Sequence, residues 1–269
     1  MTVDARYLPY RSSRRSGARA TVFCLPHAGG GASAYHRWVG ADPLLDVQPV
    51  QLPGREDLLG EEPARDAAQL VSLLGPALAD LASGPTVLFG HSMGAVLAAE
   101  LAVWLRRNGA PPPLLLVVSG RRGGARRSSG PAQTTAYSSD EELATVLLRM
   151  GGTPREVFDD PQLRSLVLAT VRSDLLLLHR YRRSYGDAEV PAPVLACGGR
   201  EDSVTGRELA DWSAHTALGS RVRLFPGGHF YLHRQQRSLF RALHTALGPG
   251  GPPTPPEPGK EHHAADRLR

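Results

Sequence analysis

Short apolar-rich runs alternate along the chain with longer segments in which apolar residues recur every three to four positions. Runs at 20–26 (ATVFCLP), 46–53 (DVQPVQLP), 85–90 (PTVLFG), 113–120 (PLLLVVSG), 192–199 (APVLACGG) and 220–228 (SRVRLFPGG) predict strands. Several show no polar alternation, as expected of strands covered by helices on both faces. Helical spacing predicts helices near 63–82, 93–108, 205–216 and 230–247. This order implies one α/β domain over 20–247, a mostly parallel sheet with helices on both faces, preceded by an arm over 1–19.

One interval breaks the alternation. No strand pattern occurs over about 121–187; a Gly/Arg/Ser-rich stretch is followed by helical segments, with Leu163, Leu166, Val167, Val171, Leu175 and Leu178 at helical spacing. An insertion after the C-terminal end of a strand lies over the mouth of an α/β site, so it reads either as a lid or as additional core. Beyond 247, GPGGPPTPPEPGKEHHAADRLR combines many Pro and Gly with few apolar residues, and 248–269 is expected to be a disordered tail.

Composition narrows the function classes. The chain has 269 residues with 41% apolar content, enough for one sizeable core. Its net charge of +5 is carried almost wholly by arginine, Lys260 being the single lysine. The basic residues are scattered, and no helix-turn-helix, zinc-finger or RNA-binding pattern accompanies them, so nucleic acid is not the expected partner. Cys24 and Cys197 each sit inside an apolar strand without a CxxC or His-Cys ligand spacing and read as core thiols. No stretch approaches the roughly 18 apolar residues of a membrane span, and the N-terminus lacks a signal-peptide core. A cytoplasmic protein is expected.

Candidate chemistry begins at 90–94. Gly90-His91-Ser92-Met93-Gly94 fits G-x-S-x-G and lies between the strand TVLFG and the helical AVLAAELAVWLRR. There a sharp turn would hold the serine out at the top of the sheet, with the Met93 N–H at the helix start facing any developing negative charge. A serine hydroxyl needs a base and the base needs an acid, in the chain order Ser, acid, His. His229 follows the last strand run, and Asp202 and Glu201 both follow the one before it. His215, His233 and His244 fall within helix candidates and read as packing or surface residues. A glycine-rich turn at PHAGGGAS (26–33) stands where a second oxyanion donor would be required, although an ordinary strand-to-helix turn would look the same. Neither G-x-x-x-x-G-K-[ST] nor G-x-G-x-x-G occurs.

The segments LPHAGGGAS, LPGRED, GHSMGA, VSGRR, RMGGTP and GGHFYL together resemble the type II thioesterases that accompany polyketide synthases and non-ribosomal peptide synthetases, over about residues 20–247. The resemblance implies an α/β-hydrolase fold with a helical lid, nucleophile Ser92, acid Asp202, base His229, and oxyanion donors in the backbone N–H groups of Ala28 and Met93. The match is looser around the acid, since no proline follows Asp202. It further implies hydrolysis of stalled or misprimed acyl groups from the phosphopantetheine arm of acyl or peptidyl carrier proteins, without metal or cofactor. GRRGGARR (120–127) is then a candidate docking patch for acidic carrier proteins, or a solvated loop. Another acyl-ACP, acyl-CoA or product-releasing thioesterase, or a carboxylesterase, would share the same constellation. A non-catalytic scaffold would be expected to lack part of it.

Overall fold

A computed structural model describes residues 5–11, 17–81, 84–124 and 138–248. Strands β1 (Ala20–Leu25), β2 (Leu45–Pro49), β3 (Thr86–His91), β4 (Leu115–Ser119), β5 (Val194–Gly199) and β6 (Ser220–Phe225) form one sheet in the order β2-β1-β3-β4-β5-β6. Every pairing is parallel. Helices α1 (Ala67–Leu81), α2 (Met93–Arg107), α3 (Asp140–Met150), α4 (Glu156–Asp159), α5 (Pro161–Arg180), α6 (Gly206–Ala210) and α7 (Gln236–Leu247) complete the fold.

The period-2 geometry of the strands divides the core into two layers. Phe23 and Leu25 of β1 join Leu88, Leu116 and Val118 under α1 and α2. Their neighbours Val22 and Cys24 point the other way, with Val87, Phe89 and Val117, against α7 and a 3-10 helix over Ala32–Trp38. Cys24 and Cys197 are both buried free thiols. The differences from the sequence expectations are local, among them a 3-10 turn over Tyr231–His233 ahead of α7 within 230–247. The chain after the glycine-rich turn forms that 3-10 helix, and 205–216 divides into the short α6 and a 3-10 turn over Asp211–His215. At the sheet edge, β6 exposes Arg221 and Arg223, and charges on an edge strand oppose pairing with another chain.

Among the described residues, the interval between β4 and β5 contains α3, α4 and α5, with a small core of its own made by Leu143, Ala144, Leu168 and Val171. Its helices begin on clear signals. Ser139 and Glu142 form a reciprocal capping box on α3, and Asp160 caps α5 ahead of Pro161 at its first turn. His215 holds both ends of the insertion: its ring contacts Arg183 Nη1 at 2.6 Å and the Gly123 carbonyl at 2.5 Å. Within GRRGGARR, Arg122 pairs with Glu208 at 3.3 Å. Residues 125–127 of that patch and the tail beyond 248 lie outside the described residues. None of the described helices is long and apolar enough to cross a membrane.

Candidate active site

All strands are parallel, so the loops leaving β3, β5 and β6 emerge on one edge of the sheet, which carries Ser92, Asp202 and His229. Ser92 directly follows β3 and precedes α2, in a conformation forbidden to most side chains, with φ 54° and ψ −108°. Such a conformation costs about 1–3 kcal/mol and persists only where its surroundings enforce it. Here the Ser92 N–H donates to the Ser119 carbonyl at 2.7 Å, and Ala95 N–H donates to the Ser92 carbonyl at 3.2 Å. Ser92 stands at the N-cap of α2 but makes no side-chain cap bond, which leaves its hydroxyl for other work.

The flanking glycines are required by close approach. A Cβ on Gly90 would strike the Gly94 backbone, and a Cβ on Gly94 would strike the carbonyls of Leu25 and Pro26 at the end of β1. Gly94→Ala is therefore expected to push α2 off the sheet and destabilise the protein by about 1–3 kcal/mol, as overpacking does. A lower urea midpoint with an unchanged slope would show it; an unaltered midpoint would contradict it.

His229 Nδ1 lies 2.8 Å from Asp202 Oδ2, with both side chains largely shielded. A carboxylate only accepts, so Nδ1 carries the proton and donates it, and Nε2 presents its lone pair. Nε2 is buried and has no hydrogen-bond partner among the described residues, so it is not bonded to Ser92 Oγ in this arrangement. Catalytic hydrogen bonds of this kind commonly tighten on substrate binding. Asp202 also accepts from the Val204 N–H at 3.3 Å. Burial alone would raise its carboxyl, but the hydrogen bond and charge of His229 and the Ser203 and Val204 amides outweigh it, and the net shift is downward. Glu201, the alternative acid, is exposed.

The N–H groups of Ala28 and Met93, the two candidate oxyanion donors, donate to no acceptor in the hydrogen bonds of the described residues. Met93 opens α2, where the first amides have no partner within the helix. Ala28 lies in the turn closed by Gly30 N–H donating to the His27 carbonyl at 3.0 Å.

Several neighbours had no role assigned from the sequence. His91 is fully buried, its Nδ1 2.9 Å from Ser119 Oγ, which in turn lies 2.8 Å from the Tyr231 hydroxyl. Its ring sits 4.8 Å from that of His229. Phe230 packs edge-on against His27, His91 and His229, and a Cβ on Gly152 of RMGGTP would collide with its ring. The insertion thus closes directly onto the site.

Burial, then the nearby His229, His27 and His233, hold His91 well below its ordinary value, and the same kind of surroundings push His27 down to about 3. The unfolded chain therefore takes up these protons first. The stability that His91 contributes is complete above about pH 6.5 and is lost as pH falls below it, by about 1.4 kcal/mol per pH unit, until its folded value is reached. His27 adds in the same direction down to its own folded value. Melting temperature is expected to drop between about pH 7 and pH 5. His91→Asn, which keeps a partner for Ser119, is expected to flatten that drop; an equal slope in the variant would refute the assignment.

The thioesterase domain family model matches residues 20–247. The gramicidin S biosynthesis protein GrsT of Aneurinibacillus migulanus is 34% identical over 232 residues, 85% of this chain and 89% of its own. The thioesterase PikA5 of Streptomyces venezuelae is 32% identical over 243 residues, 89% of this chain and 85% of its own. Among solved structures, the type II thioesterase BorB from the borrelidin biosynthetic cluster superposes with a TM-score of 0.76 at 37% identity, covering 86% of this chain and 93% of its own.

Proposed function

Because the chain belongs to the thioesterase family, we propose that it hydrolyses acyl thioesters carried on the phosphopantetheine arm of acyl or peptidyl carrier proteins, with Ser92 as nucleophile, His229 as base and Asp202 as the acid that orients it. The observation that carries this reading is the Asp202–His229 hydrogen bond, which leaves Nε2 unprotonated at the sheet edge where the strained Ser92 stands. His229 takes the Ser92 proton as Oγ attacks the thioester carbonyl, and the oxyanion forms between the Ala28 and Met93 amides. The imidazolium then gives its proton to the departing thiol. A water activated by the same Nε2 cleaves the acyl-serine, while Asp202 stays ionised throughout.

The role is editing: removal of stalled or misprimed acyl groups from a polyketide or non-ribosomal peptide assembly line. Its support is the likeness to BorB, a type II thioesterase, and to GrsT, a gramicidin S biosynthesis protein. The helical insertion against Phe230 serves as the lid that shapes the acyl pocket. Rates on an acyl carrier protein and on the p-nitrophenyl ester of the same acyl group test the reading. A clear preference for the carrier, measured as kcat/KM, is expected; equal or better turnover of the free ester would reassign the chain as a general esterase.

A further inference from the structure

Between the insertion and the sheet lies a buried ion pair that the chemistry above does not use. Arg55 of LPGRED is 6% exposed and Asp174, in the middle of α5, is 2% exposed. The guanidinium grips the carboxylate with both Nη atoms, Nη1 to Oδ2 at 2.6 Å and Nη2 to Oδ1 at 2.7 Å. Two charges removed from water persist only when their remaining hydrogen-bonding capacity is also met. Here it is met by the glycine-rich turn: Asp174 Oδ2 accepts from the Gly29 N–H at 2.7 Å, and Arg55 Nη1 donates to the Gly30 carbonyl at 3.1 Å.

The same turn is held from its far side. Gln51 Nε2 donates to the Arg55 carbonyl at 2.9 Å, and Gln51 Oε1 accepts from the Ala32 N–H at 3.1 Å. Gly29 has φ +83°, and Val171 of α5 lies against its Cα, so the helix presses on the turn as well as bonding to it. Ala28 is thus enclosed between the strand end and a clamped peptide, with little freedom to rotate its amide.

We propose that Asp174 and Arg55 are positioning residues for the oxyanion hole: by clamping the Gly29 and Gly30 peptides they aim the Ala28 N–H, and they make α5 a fixed wall of the site. This rests on the assignment of Ala28 and Ser92 made under the proposed function. A purely structural ion pair makes a different prediction: its replacement would alter the melting temperature and leave kcat of the folded protein unchanged.

The test is the double variant Arg55→Met with Asp174→Leu, assayed on an acyl carrier protein beside wild type and Ser92→Ala. It is expected to melt below wild type, because the Gly29 N–H and the Gly30 carbonyl lose their partners, while kcat measured below its transition falls by about 10²-fold, the scale of a small misplacement of a catalytic group, with KM unchanged. Affinity for a trifluoromethyl ketone analogue of the acyl chain, which forms the oxyanion, should fall by a similar factor. Asp174→Asn, of nearly identical shape, is the second variant, assayed below its melting temperature, and the same selective loss of kcat is expected. Wild-type kcat in either folded variant, or a change confined to KM, overturns the proposal. Activity that survives in Ser92→Ala would instead overturn the functional reading beneath it.

Discussion

Ser92→Ala is expected to reduce kcat on an acyl carrier protein by at least about 10⁴-fold and to abolish labelling by a fluorophosphonate. Loss of the nucleophile in a serine hydrolase costs on the order of 10⁶-fold, and the residual rate comes from binding and the oxyanion hole. The effect follows from geometry: Ser92 alone stands at the sharp turn between β3 and α2, with its side chain making no cap bond. Folding should be retained, because the Ser92 backbone, not its hydroxyl, is what Ser119 and Ala95 hold. Adding His229→Ala should cost little more, since nucleophile and base act as a unit. Additive losses, or a variant still labelled by the probe, would show that another residue attacks.

Asp202→Asn is expected to lower kcat by about 10⁴-fold with the fold intact. The carboxylate accepts the Nδ1 proton of His229 and so leaves Nε2 as the base. An amide N–H turned toward Nδ1 would select the opposite tautomer and remove that lone pair. The downward shift of the Asp202 carboxyl means that its charge is present throughout the neutral range, and the stability from the pair is lost only as pH falls through that lowered value. Glu201→Gln is the internal control, because Glu201 is exposed, and its kcat should match wild type. The reverse ranking of the two variants would move the acid to Glu201.

The α/β class was legible because buried parallel strands leave continuous apolar runs, and the insertion was legible because α5 repeats its apolar positions at helical spacing. Ser92 and the loops bearing Asp202 and His229 were legible because the chemistry demands particular residue types at strand ends. Other features depend on tertiary contact and leave no local trace. Arg55 and Asp174 stand 119 residues apart, and each alone reads as an ordinary surface charge. His91 and His27 look like any histidine until burial sets their protonation. The 3-10 helix after the glycine-rich turn and the exposed face of β6 likewise reflect what packs beside them rather than their own periodicity.

The most direct test of carrier-directed hydrolysis is intact-mass measurement of acetyl- and propionyl-phosphopantetheinyl carrier protein incubated with wild type and with Ser92→Ala. Wild type is expected to return the carrier to its free-thiol mass, and Ser92→Ala to leave the acyl mass in place. Retention of the acyl group by wild type, alongside cleavage of a simple ester, would contradict carrier-directed hydrolysis.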